Sequence, residues 1–128
     1  MGKKILSVID TAYRATQEEQ DDAGLWFSGA VRNAGLDVDI LLTGNGVNYA
    51  VKGHPKTSLT VGGGEVSHPF NPEIDLERLA ANGAKLYMVR EDVEERGIET
   101  STLIGSIEQI DRLRLPEFVG EYESIWRW

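Results

Sequence analysis

The sequence predicts a three-layer α/β/α domain around a mainly parallel sheet of about five strands, spanning residues 1–128, with a hairpin or flap inserted at about residues 52–71. Three observations support this. Short apolar runs end at turn residues, as strands buried on both faces do: KILSVI at Lys4–Ile9, VDILL at Val38–Leu42 and LYMV at Leu86–Val89. Stretches of helical periodicity lie between them and stop at glycines. Strand, helix, strand and helix follow one another within the first fifty or so residues, the order of a parallel sheet with right-handed crossovers.

The elements follow in order. After Lys4–Ile9 and a loop at Thr11–Arg14, Thr16 and Glu19 have capping-box spacing, and Glu18, Glu19, Asp21 and Asp22 suit the positive end of a helix dipole. Ala23, Phe27, Ala30, Val31 and Ala34 then make one helical face, widened by Leu25 and Trp26 and stopped by Gly35. Gly24 and Gly29 each cost that helix about 1 kcal/mol against alanine, which points to close packing at those positions. Beyond the second strand, Thr43-Gly44-Asn45-Gly46 turns into a short helix over Val47–Val51. Thr57–Val61 and Glu65–Ser67 flank three glycines and read as a hairpin; a connection of this length is usually functional, mobile or part of an interface. A helix opens at Asn71-Pro72 and ends at Gly83, and a third strand, Leu86–Val89, runs into a charged helix, Glu91–Arg96, stopped by Gly97. Thr100–Gly105 reads as loop, Ile107–Ile110 as a fourth strand, and Leu113–Gly120 as a short helix interrupted by Pro116. Ser124–Trp128 is a last strand, with Trp126 and Trp128 on one side and Ile125 on the other. Trp26 reads as core; the two terminal tryptophans suit either an interface or a buried edge strand.

Composition excludes several functions. The 41% hydrophobic and 27% charged residues describe a globular chain. No apolar run approaches the roughly 20 residues of a membrane span, and Ile5–Ile9 is too short for a signal peptide, so a cytoplasmic location is expected. With no cysteine, disulfides, thiolate catalysis and thiolate metal sites are excluded. A net charge of −8 argues against binding nucleic acid or anionic membranes.

The chemistry-bearing groups are few. In an open α/β sheet, ligands sit beyond the carboxyl ends of the strands. Asp10, followed by Tyr13 and Arg14, stands at one such end and serves equally well as a turn residue. Gly44-Asn45-Gly46, after the second strand, offers backbone N–H groups to a carboxylate or phosphate, although a plain turn explains it better. Gly62-Gly63-Gly64 lacks the helix and Lys-Ser/Thr of a phosphate loop and reads as a hairpin tip. His54, His68 and Glu65 lack the close spacing of metal ligands, so no metal and no cofactor are expected. Arg90, Glu91 and Asp92 follow Val89: the arginine suits an anion and the acids suit a base, but acids at a helix start also simply complement its dipole, and Arg96 can pair with Asp92. No Ser-His-Asp set can be assigned.

Three stretches resemble the DsrE/DsrF-like proteins, which include the TusD-type sulfur-relay subunits: NAGLDVDILLTGNGV at residues 33–47, LAANGAKLYMV at residues 79–89, and the turn Glu95-Arg96-Gly97-Ile98. The resemblance implies a DsrEFH-like domain of flavodoxin-like appearance that assembles as trimers or hexamers, of itself or with paralogous subunits. Active members carry a persulfide on a cysteine eight residues before the glycine of the Arg-Gly turn, a position held here by Val89. The resemblance therefore implies a non-catalytic binding or scaffold subunit, with a pocket for a small anionic ligand formed near Asp10, Tyr13, Asn45, Gly46, Val89 and Arg90. The alternative is a small-molecule or nucleotide-binding enzyme that uses Asp10, Asn45, Arg90 and Glu91 at the same strand ends.

Overall fold

The structure, a computed structural model, describes residues 4–10, 23–52, 60–61, 64–65 and 72–128. Five parallel strands, β1 (Lys4–Ile9), β2 (Asp37–Leu42), β5 (Leu86–Val89), β6 (Ile107–Ile110) and β7 (Ser124–Arg127), lie in the order β6-β5-β2-β1-β7. A separate two-stranded hairpin, β3 (Thr60–Val61) and β4 (Gly64–Glu65), stands where the insertion is predicted. The helices are α1 (Ala23–Asn33), α2 (Pro72–Ala81), α3 (Arg90–Glu95) and α4 (Leu115–Val119). The Thr16–Glu19 capping box lies outside the described residues, as does the side chain of Trp26.

Strand parity divides the core. Ile5, Ile9, Val38, Ile40, Leu42, Leu86 and Met88 pack with Leu25 of α1, Leu76 and Leu79 of α2, and Val93 of α3. Leu6, Val8, Leu41 and Val89 face the opposite way, beneath Leu115, Phe118 and Val119 of α4 and Tyr122. Ser7, a polar side chain in an apolar strand, is satisfied: Ser28 Oγ lies 2.8 Å and Trp128 Nε1 2.9 Å from its Oγ. Trp126 and Trp128 close the β7 edge by packing on Phe27 of α1, with ring centroids 5.4 and 5.6 Å away, so the edge-strand reading of this pair describes their packing.

Three predicted elements differ. The helix expected over Val47–Val51 is a 3-10 turn over Gly44–Ala50. It starts early because Gly46 presses onto β1: a Cβ there would lie 2.0 Å from the Ile9 carbonyl oxygen. Pro116 does not interrupt its helix. A 3-10 turn, Arg112–Arg114, precedes α4, and Pro116 falls in the first turn of α4, where a missing N–H is not needed. Within the predicted loop Thr100–Gly105, Leu103 bridges to Val51, the Lys52 N–H donates to the Thr102 carbonyl and the Ile104 N–H to the Ala50 carbonyl.

The predicted packing of Gly29 is also absent, since a Cβ there would meet nothing within 4 Å. The two glycines therefore respond oppositely to alanine. Gly46→Ala is expected to lower the unfolding free energy by about 3 kcal/mol, and Gly29→Ala to raise it by about 0.5–1 kcal/mol, as read by urea denaturation.

On the α4 face, the buried Asp39 carboxylate accepts hydrogen bonds from the Lys85 N–H at 2.9 Å and the Tyr122 hydroxyl at 2.7 Å. Burial, reinforced by Asp39, pushes the Tyr122 pKa far above the ordinary tyrosine value, and burial also raises that of Tyr87. A pKa raised on folding contributes stability that is fully present below the unfolded value of about 10 and is lost as the pH climbs toward the folded one. Unfolding free energy measured from pH 8 to 11 is expected to fall above about pH 10. Tyr122→Phe is expected to make that fall shallower; an unchanged slope would assign it to other groups.

Candidate functional site

Register places a cavity at the carboxyl ends of the strands. β1 pairs Val8 with Leu41 of β2 and with Arg127 of β7, so these side chains share the α4 face. Asp10, Thr43 and Val89 belong to the next row toward the carboxyl end. Because α4 is only five residues long, it covers Val8, Leu41 and Val89 but leaves Asp10, Thr43 and Arg127 partly exposed. The result is an open cavity of about 530 Å³. Its walls are Val8, Leu41, Val89, Leu115, Val119 and Ile125, and its polar lining comes from Asp10, Thr43, Asp92, Arg112 and Arg127. Val89 is 1% exposed.

The polar lining is held by α3. Asp92, 9% exposed, accepts the Gly44 N–H at 2.8 Å on one carboxylate oxygen and the Arg112 guanidinium at 2.6 Å on the other. The Glu91 carboxylate accepts the Arg112 backbone N–H with both oxygens at 3.0 Å, and Glu95 receives the Arg112 guanidinium at 3.3 Å. Hydrogen bonding to Glu95 and Asp92 raises the Arg112 pKa, so the guanidinium stays charged. Arg96 donates to the Asp92 carbonyl at 3.1 Å and stands 3.9 Å from its carboxylate, the pairing expected from the sequence. Among the described residues, no ion pair engages Arg127.

The predicted site residues divide. Asp10 and Val89 line the cavity together. Asp10 also behaves as a turn residue, its carboxylate accepting the Thr43 hydroxyl at 2.8 Å. Asn45 is turned to Arg96, whose Nε donates to its side-chain oxygen at 3.0 Å, and Gly46 is buried against Ile9. Arg90 does not line the cavity. Its Nε donates to Asp111 at 2.5 Å and another guanidinium nitrogen to Glu94 at 3.0 Å, and these partners raise its pKa. Tyr13, His54 and His68 lie outside the described residues. The Gly44-Asn45-Gly46 backbone does bind a carboxylate, that of Asp92 in the same chain. No cluster of three potential metal ligands occurs among the described residues.

Arg112 and Arg127 are the cavity's cations, and the sequence alone did not single them out. Arg112 lies 23 residues beyond Val89, and the placement of Arg127 depends on β7 pairing with β1. The one usable signal was parity: Ile125 opposes Trp126 and Trp128 across the strand, which puts Arg127 on the face of Ile125.

These features define a class of protein: a parallel α/β domain with its cavity at the strand carboxyl ends. No family model matches the sequence, and no curated protein matches it significantly. Solved structures do match. The ychN protein from E. coli superposes with a TM-score of 0.75 over 100% of both chains at 19% identity. MTH1491, a protein of unknown function from Methanobacterium thermoautotrophicum, gives a TM-score of 0.63 over 98% of this chain and 99% of its own at 16% identity. At these identities the likeness carries the fold alone, the three-layer α/β fold with a parallel five-stranded sheet expected from the sequence. Among the described residues, no helix is long and apolar enough to cross a membrane.

The burial of Val89 can be tested with a single thiol, since the chain has no other. Val89→Cys is expected to react with a thiol reagent about 100-fold more slowly in the native protein than in urea, because burial disfavours the thiolate. Equal rates would mean that residue 89 is exposed to solvent.

Proposed function

We propose that this chain is a cysteine-free DsrE-like protein acting as a non-catalytic binding or scaffold subunit of an assembly linked to a sulfur-relay-type system in the cytoplasm. The observation that carries this reading is the character of the strand end. Where the sequence resemblance expects a sulfur-carrying cysteine, Val89 stands among Val8, Leu41 and Leu115 with no atom able to attack or to hold sulfur. What is left is a cavity with apolar walls, two aspartates and two arginines; Arg112 is tied to Asp92, so Arg127 is the cation offered to a small ligand with an apolar body and an anionic group.

The enzymatic alternative receives less support from the geometry. Three of its four polar groups are engaged away from the cavity: Asn45 with Arg96, Arg90 with Asp111 and Glu94, and Glu91 with the Arg112 backbone. Only Asp10 faces the space a substrate would occupy.

In the proposed assembly the chain forms trimers or hexamers, or joins a cysteine-bearing paralogous subunit. Native mass spectrometry of the purified chain, alone and after affinity capture from its source cells, reads this directly. Defined multimers, or capture of a DsrE-like subunit that bears the cysteine, are expected. A monomer at all micromolar concentrations, with no such subunit captured, would overturn the proposal.

A further inference from the structure

The Val89 cavity is lined by four charged side chains, two of each sign: Asp10, Asp92, Arg112 and Arg127. Asp92 and Arg112 neutralise each other across a 2.6 Å contact. That leaves Asp10 and Arg127, one acid and one base. Among the described residues no ion pair joins these two, and neither is paired with any other group. The Thr43 hydroxyl donates to one oxygen of Asp10 at 2.8 Å, which leaves the second oxygen for a further donor. With the internal pair set aside, the cavity presents one anion and one cation rather than a positive field.

Backbone pairing sets the two groups side by side. Val8 pairs with Arg127 across β1 and β7, and the pairing continues past Arg127: the Trp128 N–H donates to the Val8 carbonyl at 3.0 Å, and the Asp10 N–H to the Trp128 carbonyl at 3.3 Å. Asp10 stands two residues beyond Val8, so it shares the face of Val8 and Arg127. The strand spacing and the rise per residue put the origins of the two side chains about 8 Å apart. An ammonium and a carboxylate on one carbon, each making a charge-assisted hydrogen bond of about 2.8 Å, span a gap of that size. Beneath these groups the described lining is aliphatic, with no aromatic ring on which a planar ligand would stack.

We infer that this cavity binds a free α-amino acid with an aliphatic side chain. Its carboxylate lies on the Arg127 guanidinium, its ammonium on Asp10, and its side chain over Val8, Leu41 and Val89. The exposure of Asp10 and Arg127 keeps the polar end of the ligand at the mouth, in contact with water, while the apolar end is buried. Charge at longer range favours the same choice: a chain of net charge −8 repels an anion, whereas a zwitterion approaches with no net charge. This inference rests on the reading of the cavity as a small-ligand site and names the class of ligand.

Titration calorimetry of the full chain tests it with three probes: L-leucine, 4-methylpentanoate, which lacks the ammonium, and 3-methylbutylamine, which lacks the carboxylate. L-leucine is expected to bind about tenfold more tightly than either of the others. Arg127→Gln is expected to weaken L-leucine about tenfold and leave 3-methylbutylamine unchanged. Asp10→Asn, which keeps an oxygen for the Thr43 hydroxyl, is expected to weaken L-leucine about tenfold and leave 4-methylpentanoate unchanged. If 4-methylpentanoate binds the unmodified chain as tightly as L-leucine, the amino-acid assignment is wrong although the cavity takes an anionic ligand. If 3-methylbutylamine matches L-leucine, or if none of the three binds, both this inference and the reading of the cavity as a site for an anionic ligand fail.

Discussion

The carboxylate of Asp92 ties together the exits of three strands. It sits three residues beyond β5, takes the Gly44 N–H just beyond β2, and takes the guanidinium of Arg112 just beyond β6. Each of these segments would otherwise be an independent loop with its own conformational entropy. Gly44 can approach because it is a glycine with φ of +51°; a Cβ there would stand 2.7 Å from the Asp10 carboxylate, which Thr43 already holds. The ring from Asp10 through Thr43, Gly44 and Asp92 to Arg112 thus brings the polar groups of the cavity into one connected set.

That arrangement determines what the strand ends can do. The polar atoms of the ring are largely engaged with one another, and the walls beneath are hydrocarbon. The Thr43 hydroxyl donates to Asp10, the Asp92 carboxylate is taken up by Gly44 and Arg112, and no histidine among the described residues stands by to activate the hydroxyl. Cavities of this size with apolar walls and a few fixed charges bind small molecules chiefly by removing apolar surface from water, while the charges orient the ligand. Arg127, without an ion-pair partner among the described residues, is the group on which an anion would displace no internal partner.

Much of the scaffold was legible because its signals are local. KILSVI, VDILL and LYMV are strands, and the helix stops read at Gly35, Gly83 and Gly97 coincide with the ends of α1, α2 and α3. The terminal Ser124–Trp128 alternation put Trp126 and Trp128 on one side of β7, and the structure turns that side to Phe27 of α1. The site was less legible because it depends on strand order and on contacts between distant segments. Arg90 is the cation nearest Val89 in sequence, yet its side chain is drawn out to Asp111 and Glu94, and the cavity receives Arg112 from another turn. The 3-10 turn over Gly44–Ala50 was misjudged for a similar reason: the close contact between Gly46 and Ile9 is tertiary and leaves no periodic trace in the sequence.

The central claim is that the Asp92–Arg112 link holds the strand ends as a binding cavity, and a double-mutant cycle measures that link directly. Asp92→Asn keeps an oxygen for the Gly44 N–H while removing the charge, and Arg112→Ala removes the partner. From urea unfolding of both single variants and the double variant, the double variant is expected to lose clearly less stability than the sum of the two single losses. Additive losses would show that the two groups do not support each other and would contradict this account.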